Sequence, residues 1–247
     1  MCIRDSFLDD RNLLLADYVL DRERIKPRWF NADRGLILPQ ADDRRRYLIA
    51  DFVQPDRVLY ARWMSDATIV LERYAPSGAP AYRVLEVTGG PWVERELEEI
   101  GTTSVATLDP EGQRGVPLPA RFDGTATLLG YELRDEELAS GDSVHLVVYW
   151  RVQGPVYEPL ASFAHLLDAQ GSLVGQYDGF DVPPWHWQPD AVVAQVYQFP
   201  VAPDTQPGSY WLEIGLYDAQ SMARLPVVDD HGNWLGDRLV LREVSVE

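Results

Sequence analysis

The second half of this chain is a succession of short apolar runs cut by turn residues, and that pattern leaves few folds open. Strand-like runs fall at Thr125–Leu133, Ser143–Arg151, Ala161–Asp168, Leu173–Asp178, Val192–Pro200, Ser209–Asp218 and Asp237–Val246. Between them lie Ser140-Gly141-Asp142, Asp168-Ala169-Gln170-Gly171 and Pro203-Asp204-Thr205-Gln206-Pro207-Gly208. Such residues make turns because Gly accepts positive φ, Pro fixes φ, and Asp bonds to nearby backbone. Short strands at this spacing, with no helical period between them, specify an antiparallel β-sandwich over residues 120–247 and argue against an α/β enzyme core.

Alternation within the runs assigns faces. Tyr210, Leu212, Ile214 and Leu216 share one side of their strand, opposite Trp211, Glu213, Gly215 and Tyr217. Val144, Leu146, Val148 and Trp150 share another, opposite His145, Val147 and Tyr149. The Pro207-Gly208-Ser209-Tyr210 run resembles the tyrosine corner of immunoglobulin-like sandwiches, whose phenol hydroxyl bonds back to nearby backbone. The fold class expected is therefore mainly β: an immunoglobulin-like or jelly-roll antiparallel sandwich preceded by a small α+β segment.

That segment, residues 7–100, reads as a mixed α/β or β-rich unit. Helical spacing over Phe7–Leu20 predicts a helix, and Pro27 stops any continuation. Strands are expected at Leu36–Leu38, Tyr47–Val53, Thr68–Tyr74 and Tyr82–Val87. Glu94–Ile100 reads as a single helical turn or as part of a connection. One helix and a few strands need a partner layer to be complete. Residues 101–119 carry Gly, Pro, Thr and Ser with little periodicity and read as a linker. Met1–Ser6 reads as an adapter-derived artefact, which makes the chain a fragment of a longer protein.

Charge narrows the functional classes. The net charge is −17. Residues 1–115 hold 16 Arg/Lys against 20 Asp/Glu, a net −4, and residues 116–247 hold 6 against 19, a net −13. So acidic a sandwich repels phosphate backbones, so no nucleic acid is expected as a partner. A single cysteine, Cys2, leaves no internal disulfide. No apolar run reaches the ~18 residues of a membrane helix.

The run from Tyr177 to Asp190 is the expected recognition surface, with Tyr177, Asp178, Trp185, His186 and Trp187 as the carbohydrate-binding residues. Aromatic faces stack on the C–H face of a pyranose while carboxylates accept its hydroxyl hydrogens. The competing reading is that Trp185 and Trp187 cap the sandwich core. His145, His165, His186 and His231 lack metal spacing, and Asp168, Asp178 and Asp181 lack the dense alternation of a calcium loop. No metal, no cofactor and no catalytic residue is expected, and no nucleophile motif or phosphate loop occurs.

The order of Thr127–Leu133, Gly141–Val144, Val148–Trp150, Phe163–Asp168, Gln176–Gly179 and Pro207–Asp218 resembles the soluble C-terminal sandwich of bacterial membrane glycosyltransferases. These enzymes are of the protein-mannosyltransferase and lipid-A-sugar-transferase kind. Arg28–Pro39 resembles the region that precedes that sandwich. The resemblance implies a non-catalytic accessory domain of a polytopic enzyme that uses polyprenyl-phosphate-linked sugars. It also implies a location on the extracytoplasmic face of the bacterial membrane, anchored by an N-terminal membrane domain that this chain lacks. The partner is then a glycan or a polyprenyl-linked sugar. The alternatives are a stand-alone carbohydrate-binding sandwich and a structural cell-surface sandwich.

Overall fold

The computed structural model describes residues 28–40, 43–110, 112–154, 156 and 159–247. The helix expected over Phe7–Leu20, the break at Pro27 and the adapter-like Met1–Ser6 lie outside the described residues. All seven strand runs expected in the second half are present: β6 (Ala126–Leu133), β8 (Ser143–Val152), β9 (Leu160–Leu167), β10 (Leu173–Asp178), β11 (Val192–Pro200), β12 (Gly208–Asp218) and β15 (Leu239–Val246). Four short strands had no sequence signal: β5 (Ala120–Phe122), β7 (Glu137–Leu138), β13 (Val227–Val228) and β14 (Trp234–Gly236). Two or three residues are too few for alternation to register.

These strands form two sheets. One has the order β1-β11-β8-β6-β5-β13-β14, where β1 (Gly35–Ile37) comes from the first part of the chain and pairs antiparallel with β11. The other has the order β10-β9-β12-β15-β7. Neighbours run antiparallel in both, except β15 and β7. The fold is the expected antiparallel β-sandwich.

The facing sides meet in one apolar core. Val144, Leu146, Val148 and Trp150 of β8 point into it, against Ala164 and Leu166 of β9 and Leu212, Ile214 and Leu216 of β12. Phe122 meets Trp150 edge to face at 5.4 Å. Two tyrosine hydroxyls that enter the core are paired, as burial favours. The Tyr197 hydroxyl donates to Ser162 Oγ at 2.7 Å, and the Tyr131 hydroxyl donates to the Leu241 carbonyl at 2.9 Å. The tyrosine corner is formed as the sequence predicts, with the Tyr210 hydroxyl donating to the Gln206 carbonyl at 2.7 Å.

The opposite side of the seven-stranded sheet is also covered. A small sheet of order β2-β4-β3, built from β2 (Arg44–Ala50), β3 (Thr68–Tyr74) and β4 (Pro80–Thr88), lies there with two helices. Helix α1 (Arg57–Trp63) was not anticipated, because seven residues give no period. Its start is fixed by Asp56, whose carboxylate accepts the Leu59 N–H and also faces His145 Nε2 of β8 at 2.8 Å. Helix α2 (Pro91–Thr103) is much longer than the single turn expected. It begins with Pro at its first position and buries Val93, Leu97 and Ile100, a spacing that forms one face.

This layer shares a second core with the outer side of the seven-stranded sheet. Leu59, Trp63, Val93 and Leu97 pack with Val147, Tyr149, Ala194 and Val196. Each such side chain contributes roughly 1.5–3 kcal/mol on burial. The β8 residues opposite the sandwich core thus face this layer. Helix and sheet meet most closely where Gly101 of α2 crosses Gly130 of β6. A methyl group on Gly130 would lie 2.9 Å from Ile100 Cγ2 and 3.0 Å from the Gly101 nitrogen. The stretch 101–119, read from the sequence as a linker, completes α2 and then follows the sandwich. Thr107 bonds through its backbone to Val240, while Ala106 and Val116 enter the sandwich core.

Candidate functional site

The five-stranded sheet carries no second sheet or helix on its outer side among the described residues, in contrast to the seven-stranded one. Its cross-strand registers set out that side in rows. Leu173, Leu167, Trp211 and Glu243 form one; Gln176, His165, Glu213 and Val240 the next; Asp178, Phe163 and Gly215 the third; Ala161 and Tyr217 the last. Directly opposed side chains in a sheet are near neighbours, so each row is a contiguous strip.

Glu213 is the hub. It is only 3% exposed, yet its carboxylate stands 2.8 Å from Arg238 Nε, 3.5 Å from Arg224 Nη2 and 3.4 Å from His165 Nδ1. A carboxylate so enclosed is tolerable only because cations surround it. His165 Nε2 points toward Asp178 Oδ1 at 3.7 Å. Burial acts to lower the His165 pKa, but the Asp178 and Glu213 carboxylates together outweigh it and raise the value above the ordinary one. Tyr217 is raised as well, by burial first and then by Asp178.

Gly215 makes this packing feasible. The Phe163 ring lies across it, and a methyl group on Gly215 would sit 2.4 Å from that ring. Phe163 in turn supports His165 at 4.7 Å and carries the Arg224 guanidinium 4.3 Å above its face. Tyr217 lies 6.3 Å from Phe163. Trp211 is partly exposed one row away from His165, and its indole N–H donates to no described residue. The face therefore combines two partly open aromatic residues with charged and amide groups held in register by strands.

The five residues expected from the sequence fall into three environments. Asp178 lies on this outer face. Tyr177, next along the same strand, points the other way. Its ring packs edge-on against Tyr197 at 5.8 Å, its hydroxyl donates to Asp181 at 2.7 Å, and Arg34 covers it at 5.1 Å. Its pKa is driven up, first by burial and then by Asp181.

Trp185, His186 and Trp187 sit on or beside a single 3-10 turn, Pro184–His186. Trp187 is 5% exposed, donates its indole N–H to the Val182 carbonyl at 3.1 Å and packs edge-on against Phe180 at 4.8 Å. It is a core residue and presents no ring face. Trp185 is 69% exposed, beside half-buried His186. Burial, and then the charge of Arg28, lowers the His186 pKa.

Asp168, Asp178 and Asp181 do not converge. Asp168 accepts the Gln170 and Ser172 N–H groups, and Asp181 accepts from Asn31, Tyr177 and Gln195. No group of three or more His, Cys, Asp or Glu among the described residues could hold a metal ion. Sequence reasoning passed over Gln176 of β10 as a site residue, and Trp211, Glu213 and Tyr217 of β12 as well. The signal for the last three was the polar and aromatic side of β12. His165, whose sequence context showed no metal spacing, belongs to the same cluster.

No family model matches the chain, and no curated protein matches it. Solved structures similar to it include the C-terminal domain of wzt, at 12% identity and a TM-score of 0.37, covering 52% of this chain and 77% of that one. A CARDB domain from Pyrococcus furiosus, solved in complex with di-metal ions, matches at 16% identity and a TM-score of 0.28, covering 51% and 91%. Both are β-sandwich domains, and neither likeness links this chain to a glycosyltransferase. No described helix is long and apolar enough to cross a membrane.

Proposed function

We propose that this chain is a non-catalytic glycan-binding module and that the outer face of its five-stranded sheet is the binding surface. The observation that carries the reading is the set of Trp211, Tyr217, Gln176, Asp178 and His165 on three adjacent strands, on the side of the sandwich that no other layer covers among the described residues. Partly open aromatic rings suit the apolar face of a sugar, while the Asp178 carboxylate and the Gln176 amide suit its hydroxyls. Strand-borne side chains bind with little ordering cost.

The wider setting rests on the sequence resemblance. In it, the module is the extracytoplasmic accessory domain of a polytopic bacterial membrane glycosyltransferase that uses polyprenyl-phosphate-linked sugars, and it positions acceptor or glycan. The same face would serve a free carbohydrate-binding module.

The test is titration of the protein with a panel of bacterial oligosaccharides. Trp211→Ala is expected to weaken binding about tenfold, the loss of roughly 1.4 kcal/mol of stacking and burial. Trp185→Ala, on the separate turn, should leave it unchanged. Absence of binding across the panel, or binding lost through Trp185 and indifferent to Trp211, refutes the assignment of this face.

A further inference from the structure

A cavity of about 480 Å³ opens in the layer that covers the seven-stranded sheet, on the far side of that sheet from the glycan face. It lies between the end of α1, the start of β3, the end of β4 and the first turns of α2. Its size falls within the range of small-molecule sites. Two indoles line it, Trp63 and Trp92, with ring centres 5.9 Å apart and planes tilted by 34°. Trp63 is fully buried behind, and Trp92 is partly exposed.

The charges that line the cavity are one-sided: Arg62 against Asp66, Glu86 and Glu96. Arg62 is already divided between Glu96 at 2.9 Å and Glu132 at 2.7 Å. Glu86 is met from the side by Arg46 at 2.8 Å and Arg44 at 3.7 Å. Asp66 has neither an ion pair nor a hydrogen bond to any described residue, and the Ser65 and Thr88 hydroxyls are equally unengaged. The cavity thus offers an indole face, an uncompensated carboxylate and two idle hydroxyls.

We infer that this cavity is a binding site for a small organic ammonium ion. An ammonium group over the Trp92 ring gains the attraction of the ring's negative face. Asp66 supplies the counter-charge, and the hydroxyls accept or donate to a polar arm of the ligand. An anion would meet an acidic lining, and a neutral molecule would make no ion pair with Asp66. The inference is independent of the glycan reading, since the two sites lie on opposite sides of a sheet.

The experiment is titration with choline and ethanolamine as cationic probes and 3,3-dimethyl-1-butanol, the uncharged isostere of choline, followed by calorimetry or ligand-observed NMR. At least one cation should bind, and the isostere should bind about tenfold more weakly or worse. Added salt should weaken the cation further. Trp92→Ala and Asp66→Asn should each weaken the cation by roughly three- to tenfold. Asp66 is exposed, so its variant folds even if loss of Trp92 disturbs α2. Trp211→Ala should leave cation binding unchanged. Failure of both cations to bind, equal binding of the isostere, or indifference to Asp66→Asn overturns the inference.

Discussion

Replacing Tyr149 by Phe tests how the covering layer is held to the sandwich. The Tyr149 ring is fully buried in β8, and its hydroxyl links three elements. It accepts the Trp63 indole N–H from α1 at 3.1 Å and donates to Glu132 Oε2 of β6 at 2.6 Å. Glu132 Oε1 also holds Arg62 of α1 at 2.7 Å.

Tyr149→Phe keeps the packing and deletes only the hydroxyl. Glu132 retains Arg62, so its charge is not stranded. The losses are one hydrogen bond to a charged acceptor, about 1.5–3 kcal/mol, and a buried Trp63 N–H left without an acceptor, about 1–3 kcal/mol. Because the two overlap on one oxygen, the expected cost is about 2–4 kcal/mol. At roughly 2–4 °C per kcal/mol for a chain of this size, Tm should fall by about 4–16 °C.

Thermal melts followed by far-UV and near-UV circular dichroism read this directly, with both signals falling together because the layers share Val147, Tyr149 and Val196 in one core. A drop below about 2 °C would refute the argument that this polar junction fastens the layer. A parent protein that melts in two steps, with only one step moved by the variant, would refute the shared core.

Two further outcomes are expected. Since the His165 pKa is raised in the folded protein, the folded state binds more protons than the unfolded one between about pH 6.5 and the raised value. Its contribution is complete below about pH 6.5 and is lost as pH rises through the folded value, so the Tm advantage of the parent over His165→Gln should shrink with rising pH, and parallel Tm–pH curves would contradict the cluster. Gly130→Ala should cost about 1–3 kcal/mol through the close approach to Ile100 and Gly101, whereas Gly115→Ala, where a methyl meets nothing within 4 Å, should stay within about 0.5 kcal/mol by urea titration.

What the sequence determined by itself was the sandwich. A strand's period of two is written in consecutive residues, and turn chemistry is local, so all seven long strands, the faces of β8 and β12 and the tyrosine corner at Tyr210 were legible. The short strands β5, β7, β13 and β14, and helix α1, were not, because they owe their existence to neighbours far away in the chain. Helix α2 was read as one turn because its acidic exposed side hides the Val93, Leu97, Ile100 face until a partner sheet is supplied. The site followed the same division. The sequence marked Tyr177 to Trp187 for their aromatic and acidic content, but composition cannot tell which way a ring points. Tertiary packing turned Trp187 into the core and Tyr177 toward Tyr197. It also brought Asp178, His165, Glu213 and Arg224 together from four separate segments, a meeting that depends on strand register and so has no trace in any one stretch of sequence.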